Sequence, residues 1–364
     1  MIRRFYVHNF RCLENFELPI SGLSSVLLIG NNGSGKTAVG LALEILQKIG
    51  RGTNRVGDLV KPKDFFLGRT DAPMRFEIEV ELEGKVCEYV IAFDLPQGLE
   101  ELRVLEEALV ASGEPVYHRE ETQIVFGNDL SFPIDRHLVA LPIFGVRSQR
   151  DPLFICKRWL GRMLILRPVP SLITGDSTEK TLEPNLQVTD FGAWFSGLLA
   201  EAPAAYARID QYLRQVMPDL KDIKNPEIGK DFRSLVVQFS NGQGSVPLPF
   251  ADLSDGEKCF MICGLVLAAN DTYRPLLCFW DEPDSHLAIS EVGHFVLALR
   301  QAFQSGGQII MTSHNSEAIQ SFSDENTLLL HRKSHLDPTT VRPLSEIQVS
   351  GDLVSALTRG DVEP

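Results

Sequence analysis

Residues 26–48, VLLIGNNGSGKTAVGLALEILQK, constrain this chain more than any other stretch. Val26, Leu27, Leu28 and Ile29 make a short apolar run of the kind that builds a buried strand. The run breaks into Gly30-Asn31-Asn32-Gly33-Ser34-Gly35-Lys36-Thr37, and Val39, Leu43 and Leu46 follow at helical spacing. This is G-x-x-x-x-G-K-T between a strand and a helix, the context that gives the pattern its meaning. Its glycines let backbone N–H groups turn inward on phosphate oxygens, and a helix N-terminus adds partial positive charge. Asn31 through Thr37 are therefore expected to bind a nucleoside triphosphate. Lys36 would reach the β- and γ-phosphates, and the Thr37 hydroxyl would ligate Mg²⁺.

Composition bounds the rest. At 364 residues the chain is long for one compact core, and two or three lobes are expected. It is 44% hydrophobic and 23% charged, the balance of an ordinary soluble globular protein. No apolar run approaches the roughly 18 residues that a membrane span needs. The opening MIRRFYVHNF is basic without the apolar stretch of a signal peptide. A cytoplasmic protein with no membrane contact is the expectation. Cys12, Cys87, Cys156, Cys259, Cys263 and Cys278 are scattered without a C-x-x-C pair, which reads as reduced core thiols. Cys259 and Cys263 lie four apart, yet no nearby pair of His or Cys completes a zinc set. A net charge of −13 argues against a surface generally committed to nucleic acid, while leaving room for a local basic groove.

Ahead of the phosphate loop, residues 2–10 and 16–20 read as two strands; beyond its helix, residues 50–64 are polar. Residues 74–95 alternate with period two around Glu83-Gly84-Lys85, a hairpin signal, and residues 104–126 repeat the idea. An antiparallel β lobe is predicted over residues 74–142. Residues 146–170 set Arg147, Arg150, Lys157, Arg158, Arg162 and Arg167 against one acid, Asp151. They form either a solvated helix face or a cationic surface for nucleic acid or an acidic partner. Residues 189–217 carry helical periodicity with Pro218 as the stop, and 232–240 (FRSLVVQFS) reads as a strand. Without a sustained heptad pattern, and with prolines recurring, a long coiled-coil arm is excluded.

Leu253-Ser254-Asp255-Gly256-Glu257-Lys258 opens an apolar helix that runs toward Ala269. Alone, Ser254 with Glu257 is a helix capping box. Residues 276–282, LLCFWDE, form an apolar strand ending in two carboxylates. Asp281 is placed to hold Mg²⁺ through water, and Glu282 to orient or deprotonate an attacking water. Another strand, 308–315 (QIIMTSHN), ends in His314, whose imidazole can hydrogen-bond a γ-phosphate. Strands that each end in a polar residue suit a parallel sheet with ligands at the strand C-termini.

GNNGSGKT, LSDGEK, WDEPDSHL and TSHN, in that order, resemble the Walker A, signature, Walker B with D-loop, and switch-histidine motifs of ABC-type ATPases. With Asn9-Phe10-Arg11 near the start, the whole chain resembles the arm-less AAA-family ATPases of the RecF, OLD and SMC-like branch. The resemblance implies an α/β fold: a P-loop ABC-type head with an antiparallel β lobe and a mainly helical lobe carrying the signature. Residues 1–145 would be the first ATPase lobe and 146–262 the helical lobe. Residues 263–335 would return to the first lobe, and 336–364 would be a short tail. ATP and Mg²⁺ are implied, with Lys36, Glu282 and His314 catalytic. Ser254 and Gly256 would cap the γ-phosphate held by the opposite protomer, so that ATP joins two heads into a homodimer. Arg11 either faces the nucleotide, as the resemblance implies, or sits on the surface. Gln149 is the candidate Q-loop ligand to the metal. Many relatives continue Leu-His-Pro after the D-loop, where this chain has Leu287-Ala288-Ile289.

Relatives of this kind work in DNA repair and anti-phage defence, often beside a nuclease. The stretch after the last ATPase strand is too short for the Toprim domain of an OLD nuclease. Any nuclease effector is therefore expected on a separate polypeptide, with DNA or RNA as a further ligand. The alternative is the energising subunit of an ABC transporter. Against it stand the Asn-Phe-Arg opening, the DEPDSHL wording and the large β lobe.

Overall fold

A computed structural model of the chain describes residues 1–127, 130–145 and 148–347; Arg147 and most of the expected C-terminal tail lie outside the described residues. Packing divides the chain into two compact units. One comprises Met1–Met163 together with the segment from Asp324 onward, and the other is Leu164–Ser323. These boundaries differ from the 145, 262 and 335 suggested by motif order, and the reason is visible at the first of them.

The first unit opens with β1 (Ile2–His8), β2 (Phe16–Glu17), β3 (Ser25–Ile29), α1 (Lys36–Gly50) and the short α2 (Val56–Leu59). β4 (Met74–Leu82), β5 (Lys85–Asp94), β6 (Arg103–Ala111), β7 (Glu114–Glu120), β8 (Gln123–Phe126) and β9 (Leu130–Pro133) follow, then α3 (Pro152–Arg162). Eight of these strands form one antiparallel sheet in the order β2-β1-β4-β5-β6-β7-β8-β9. The period-two signal is obeyed strictly in β4, where Met74, Phe76, Ile78, Val80 and Leu82 are buried. Glu83 and Gly84 both take positive φ, 51° and 77°, which is the two-residue turn whose twist matches an antiparallel pair. Ser112 and Gly113 repeat that turn between β6 and β7, at 52° and 82°.

α1 and α3 cross at a glycine pair. A Cβ on Gly50 would stand 2.3 Å from Gly161 N, so the two backbones touch where no side chain intervenes. Gln47 Nε2 donates to Met163 O at 2.5 Å and Arg51 Nε to Gly161 O at 3.0 Å. These bonds hold α3 in the first unit, which is why the division falls after Met163. The sequence reading had assigned this helix to the second lobe.

A buried ionic cluster ties residues 134–141 to one face of the large sheet. Glu107 is fully buried and accepts from Tyr89 Oη (3.0 Å), Tyr117 Oη (2.7 Å), Ala140 N (2.7 Å) and Leu141 N (2.8 Å). Arg119, also fully buried, lies 3.8 Å from the carboxylate and donates to the carbonyls of Glu121, Asp135 and Leu138. Burial pushes the Glu107 carboxyl up from its ordinary range, and the surrounding donors oppose that shift. Deleting the carboxylate leaves two tyrosine hydroxyls and two backbone N–H groups buried without that acceptor, and Arg119 without its counter-charge. Glu107→Ala is expected to lose about 3–5 kcal/mol of stability, read as a lower urea midpoint at unchanged slope. A loss under about 1 kcal/mol would show the cluster to be no stronger than a surface pair.

The second unit begins with β10 (Leu164–Leu166) and β11 (Asp176–Ser177), then α4 (Phe191–Glu201), α5 (Ala205–Val216), β12 (Leu220–Lys224), β13 (Arg233–Ser234), β14 (Val236–Ser240) and β15 (Ser245–Pro249). It continues with α6 (Asp255–Tyr273), β16 (Leu277–Trp280), α7 (Ile289–Gln304), β17 (Gln308–Thr312) and α8 (Ser316–Gln320). The helical run read over 189–217 is two helices, interrupted at 202–204 where Pro203 cannot donate a helical hydrogen bond. β10, β16 and β17 are parallel, with Leu166 opposite Trp280 and Trp280 opposite Met311. β12, β14 and β15 form a separate antiparallel sheet. α6 carries the signature stretch and is buried almost throughout from Lys258 to Asn270.

The chain then returns to the first unit with β18 (Thr327–His331) and β19 (Thr340–Pro343). β18 runs parallel to β3, with Thr327 opposite Leu27, and β19 pairs antiparallel to β18. Part of the expected tail is thus a strand. All six cysteines are free and buried. Burial pushes the Cys259 and Cys263 thiols up to about 12, so both stay protonated.

Candidate nucleotide-binding site

In the first unit, β3 is entirely buried and ends at Gly30, where the phosphate loop starts. Gly30, Gly33 and Gly35 take φ of 147°, 82° and 106°, values that L side chains adopt only with strain. Gly30 is also excluded from bearing a side chain by space, since its Cβ would meet Leu330 O at 2.2 Å. α1 starts at Gly35 without a side-chain cap, and its dipole directs positive potential at the loop. Lys36 is buried, and its ammonium donates to Gly30 O at 2.7 Å and Asn31 O at 3.3 Å. The Ser34 hydroxyl is buried without a hydrogen-bond partner. Turned backbone, a buried cation and an unsatisfied hydroxyl suit an anionic oxygen ligand.

The opening Asn9-Phe10-Arg11 explains itself structurally. Asn9 and Arg11 both take positive φ, and Phe10 between them is buried edge-on against Phe76 at 5.2 Å. Asn9 Nδ2 donates to Arg69 O and Ala72 O. Arg11 Nη2 lies 3.1 Å from Asp64 Oδ1, and Arg11 N donates to Asp64 O. The structure therefore engages Arg11 with Asp64 at a partly exposed position. Gln149 lies in an exposed turn ahead of α3, and no hydrogen bond joins it to the phosphate loop among the described residues.

In the second unit, one hydroxyl organises the carboxylate pair. Thr312, at the end of β17, donates from Oγ1 to Asp281 Oδ1 at 2.6 Å and accepts from Glu282 N at 2.9 Å. Asp281 is buried, whereas the Glu282 side chain is about half-exposed. Glu282 has φ +50°, a left-handed conformation that costs on the order of 1–2 kcal/mol for a non-glycine residue. The Thr312 bond holds it there. His314 Nε2 stands 3.6 Å from Glu282 Oε1, so the carboxylate and the imidazole are brought together. Behind them, Ser313 Oγ donates to the buried Asp284 at 2.6 Å, and burial raises the Asp284 carboxyl from its ordinary range. Thr312, Ser313 and Asp284 were not singled out in the sequence; small hydroxyl residues just after an apolar strand were the available signal.

Ser254 and Glu257 form the reciprocal capping box at the start of α6: Ser254 N donates to Glu257 Oε2 at 2.7 Å and Glu257 N to Ser254 Oγ at 3.3 Å. The D-loop runs beside this helix end. A Cβ on Gly256 would stand 3.0 Å from His286 O, and His286 Nδ1 lies 3.7 Å from Asp255 Oδ2. Leu287-Ala288-Ile289 leads into α7, where Glu291 Oε2 accepts from Ala288 N at 3.0 Å.

Two cations of the basic stretch already have partners within the first unit. Lys157 Nζ donates to Pro142 O at 2.7 Å, and Arg158 faces Glu83 at 3.6 Å while covering the Phe154 ring at 5.0 Å. Arg150, Lys157, Arg158 and Arg162 belong to the first unit and Arg167 to the second. No described helix is long and apolar enough to cross a membrane.

Residues 1–110 match the family model described as an AAA ATPase domain, which implies nucleotide binding, typically with Mg²⁺. A segment of 46 residues is 41% identical to the OLD nuclease of Thermus scotoductus (strain ATCC 700910 / SA-01); it covers 13% of this chain and 8% of the nuclease's length. The structure of an SMC head bound to the C-winged helix domain of ScpA aligns with TM-score 0.57 and 15% identity, covering 95% of this chain and 99% of that one. The SMC head domain from Thermotoga maritima aligns with TM-score 0.48 and 13% identity, covering 94% and 98%. Residues 1–110 thus resemble the AAA ATPase domain family, and the chain shares the fold of the SMC head.

Proposed function

We propose that the chain binds ATP with Mg²⁺ and hydrolyses it, and that ATP joins two copies head to head as a switch for a separate effector. The observation that carries the hydrolytic part is the Thr312 hydroxyl bridging Asp281 and Glu282, with His314 3.6 Å from the Glu282 carboxylate. A buried acid suited to a metal-bound water and a half-exposed carboxylate suited to the attacking water divide the work that phosphoryl transfer requires. Asn31, Asn32, Gly33, Ser34, Gly35 and Lys36 are the proposed phosphate contacts. Thr37 and, through water, Asp281 are the proposed Mg²⁺ ligands, with Gln149 a further candidate. Bound there, Mg²⁺ would supply neutralisation of phosphate charge, while the residues named would orient and desolvate the reacting groups.

The dimer rests on the signature motif, in which Ser254 and Gly256 would face the nucleotide of the partner. The nuclease character of the proposed effector rests on the short OLD nuclease match and on the resemblance to defence and repair ATPases. Of the two further ligand classes, a protein effector has more support than DNA or RNA, because Lys157 and Arg158 are already engaged. The first experiment is phosphate release with purified protein: Mg²⁺-dependent turnover of ATP is expected. Tight ATP binding without turnover would make the chain a nucleotide-held scaffold instead.

A further inference from the structure

The connection between β18 and β19, residues 332–339, lies against the phosphate loop of the same unit. A Cβ built on Gly33 would stand 3.8 Å from His335 Nε2, and one on Gly35 would stand 2.5 Å from Thr339 Oγ1 and 3.0 Å from Cys12 Sγ. Thr339 is 3% exposed. Its hydroxyl donates to Ser34 O at 2.9 Å, and its N–H donates to Cys12 O at 2.8 Å. The connection is braced by its own bonds: Ser334 Oγ to Asp337 Oδ2 at 2.6 Å, and Arg332 Nε to Asp337 O at 2.7 Å.

A trans peptide is planar, so its C=O and N–H point in opposite directions. A hydroxyl that holds Ser34 O on the side of the β18–β19 connection therefore turns the Gly35 N–H of the same peptide the other way, into the loop. Gly35 itself adds little restraint to that choice, because glycine accepts positive and negative φ alike. The glycine that lets the loop curl leaves one of its N–H groups unaimed. Thr339, 305 residues away from Ser34, is the group that restrains it.

We propose that Thr339 is a positioning residue of the nucleotide cradle, its hydroxyl fixing the Ser34–Gly35 peptide so that the Gly35 N–H faces a phosphate oxygen. The proposal rests on the nucleotide reading above. Thr339→Val keeps the shape beside Gly35 and removes the donor, whereas Thr339→Ser keeps the donor and removes a methyl. Equilibrium affinities for ATP and ADP, KM and kcat, and Tm are measured on the full chain. The valine variant is expected to lose about fivefold to tenfold in affinity for both nucleotides, the worth of one net hydrogen bond. KM should rise more than kcat falls, and the serine variant should stay within about twofold of the parent. Should valine prevent folding, Thr339→Ala removes the donor without bulk and carries the same expectation. Parent-like affinity in the folded donor-less variant overturns the proposal. So does equal weakening in the valine and serine variants, which assigns the effect to packing beside Gly35. A parent protein that binds no nucleotide instead overturns the functional reading, before any substitution is compared.

Discussion

Lys36→Ala is expected to lose ATP binding, while Glu282→Gln keeps binding and loses hydrolysis. The lysine ammonium is buried over the carbonyls of Gly30 and Asn31, where water competes poorly for it. A charge-assisted bond in that position is worth roughly 1.5–3 kcal/mol, so affinity should fall by about tenfold to more than a hundredfold. Glu282 sits on a strained turn after β16, with its carboxylate 3.6 Å from His314 Nε2. Replacing its carboxylate by an amide removes the base and keeps the shape. Turnover should fall by about 10²–10⁴ at nearly unchanged ATP affinity. Titration of nucleotide and measurement of phosphate release in both variants decide between the roles. Normal turnover in Glu282→Gln would remove that residue from the base role and shift attention to His314.

ATP should also drive two heads together, most visibly in Glu282→Gln, where the joined state is not hydrolysed away. Ser254→Arg is expected to abolish this association while leaving ATP binding to the single chain largely intact. Ser254 caps α6 through Glu257, and losing that cap costs about 1 kcal/mol. α6 is a 19-residue helix buried along most of its length, so it survives the loss. Ser254→Ala, which removes the cap without adding bulk or charge, is the control. Sedimentation with and without ATP reads the dimer. Lys36→Ala mixed with Ser254→Arg can form one intact composite site per heterodimer, so the mixture should regain hydrolysis that neither variant shows alone. Full hydrolysis by Ser254→Arg alone would sink the assignment of the signature to the partner's nucleotide.

Much of this protein was legible in local sequence because the features concerned are local. A four-residue apolar run followed by G-x-x-x-x-G-K-T has few alternatives to a buried strand, a curled loop and a helix. The β4–β5 hairpin is equally local: period two, then Glu83 and Gly84 at positive φ. The capping box at Ser254 and the polar residues closing β16 and β17 belong to the same class, since each is settled within a few residues of chain. Other features lie beyond local propensity: the helical periodicity of 189–217 does not mark the break at Pro203, and motif order does not show the Gly50–Gly161 contact that holds α3.

Tertiary structure alone decided which polar groups meet across long stretches of chain. Arg11 meets the Asp64 carboxylate, and Lys157 and Arg158 of α3 meet Pro142 O and Glu83. Glu107 reads as an ordinary exposed acid in an alternating strand, yet the fold buries it among two tyrosines, Arg119 and two backbone N–H groups. Thr312 and Thr339 carry no pattern of their own. A hydroxyl acquires a role only from the acceptor that folding sets within 3 Å of it, and for Thr339 that acceptor is Ser34 O, at the opposite end of the sequence. Local sequence thus determined the loop, the strands and the caps, because backbone conformation is governed by neighbouring residues. The fold decided how each of those parts is aimed, because aim depends on hydrogen bonds whose partners only chain closure brings together.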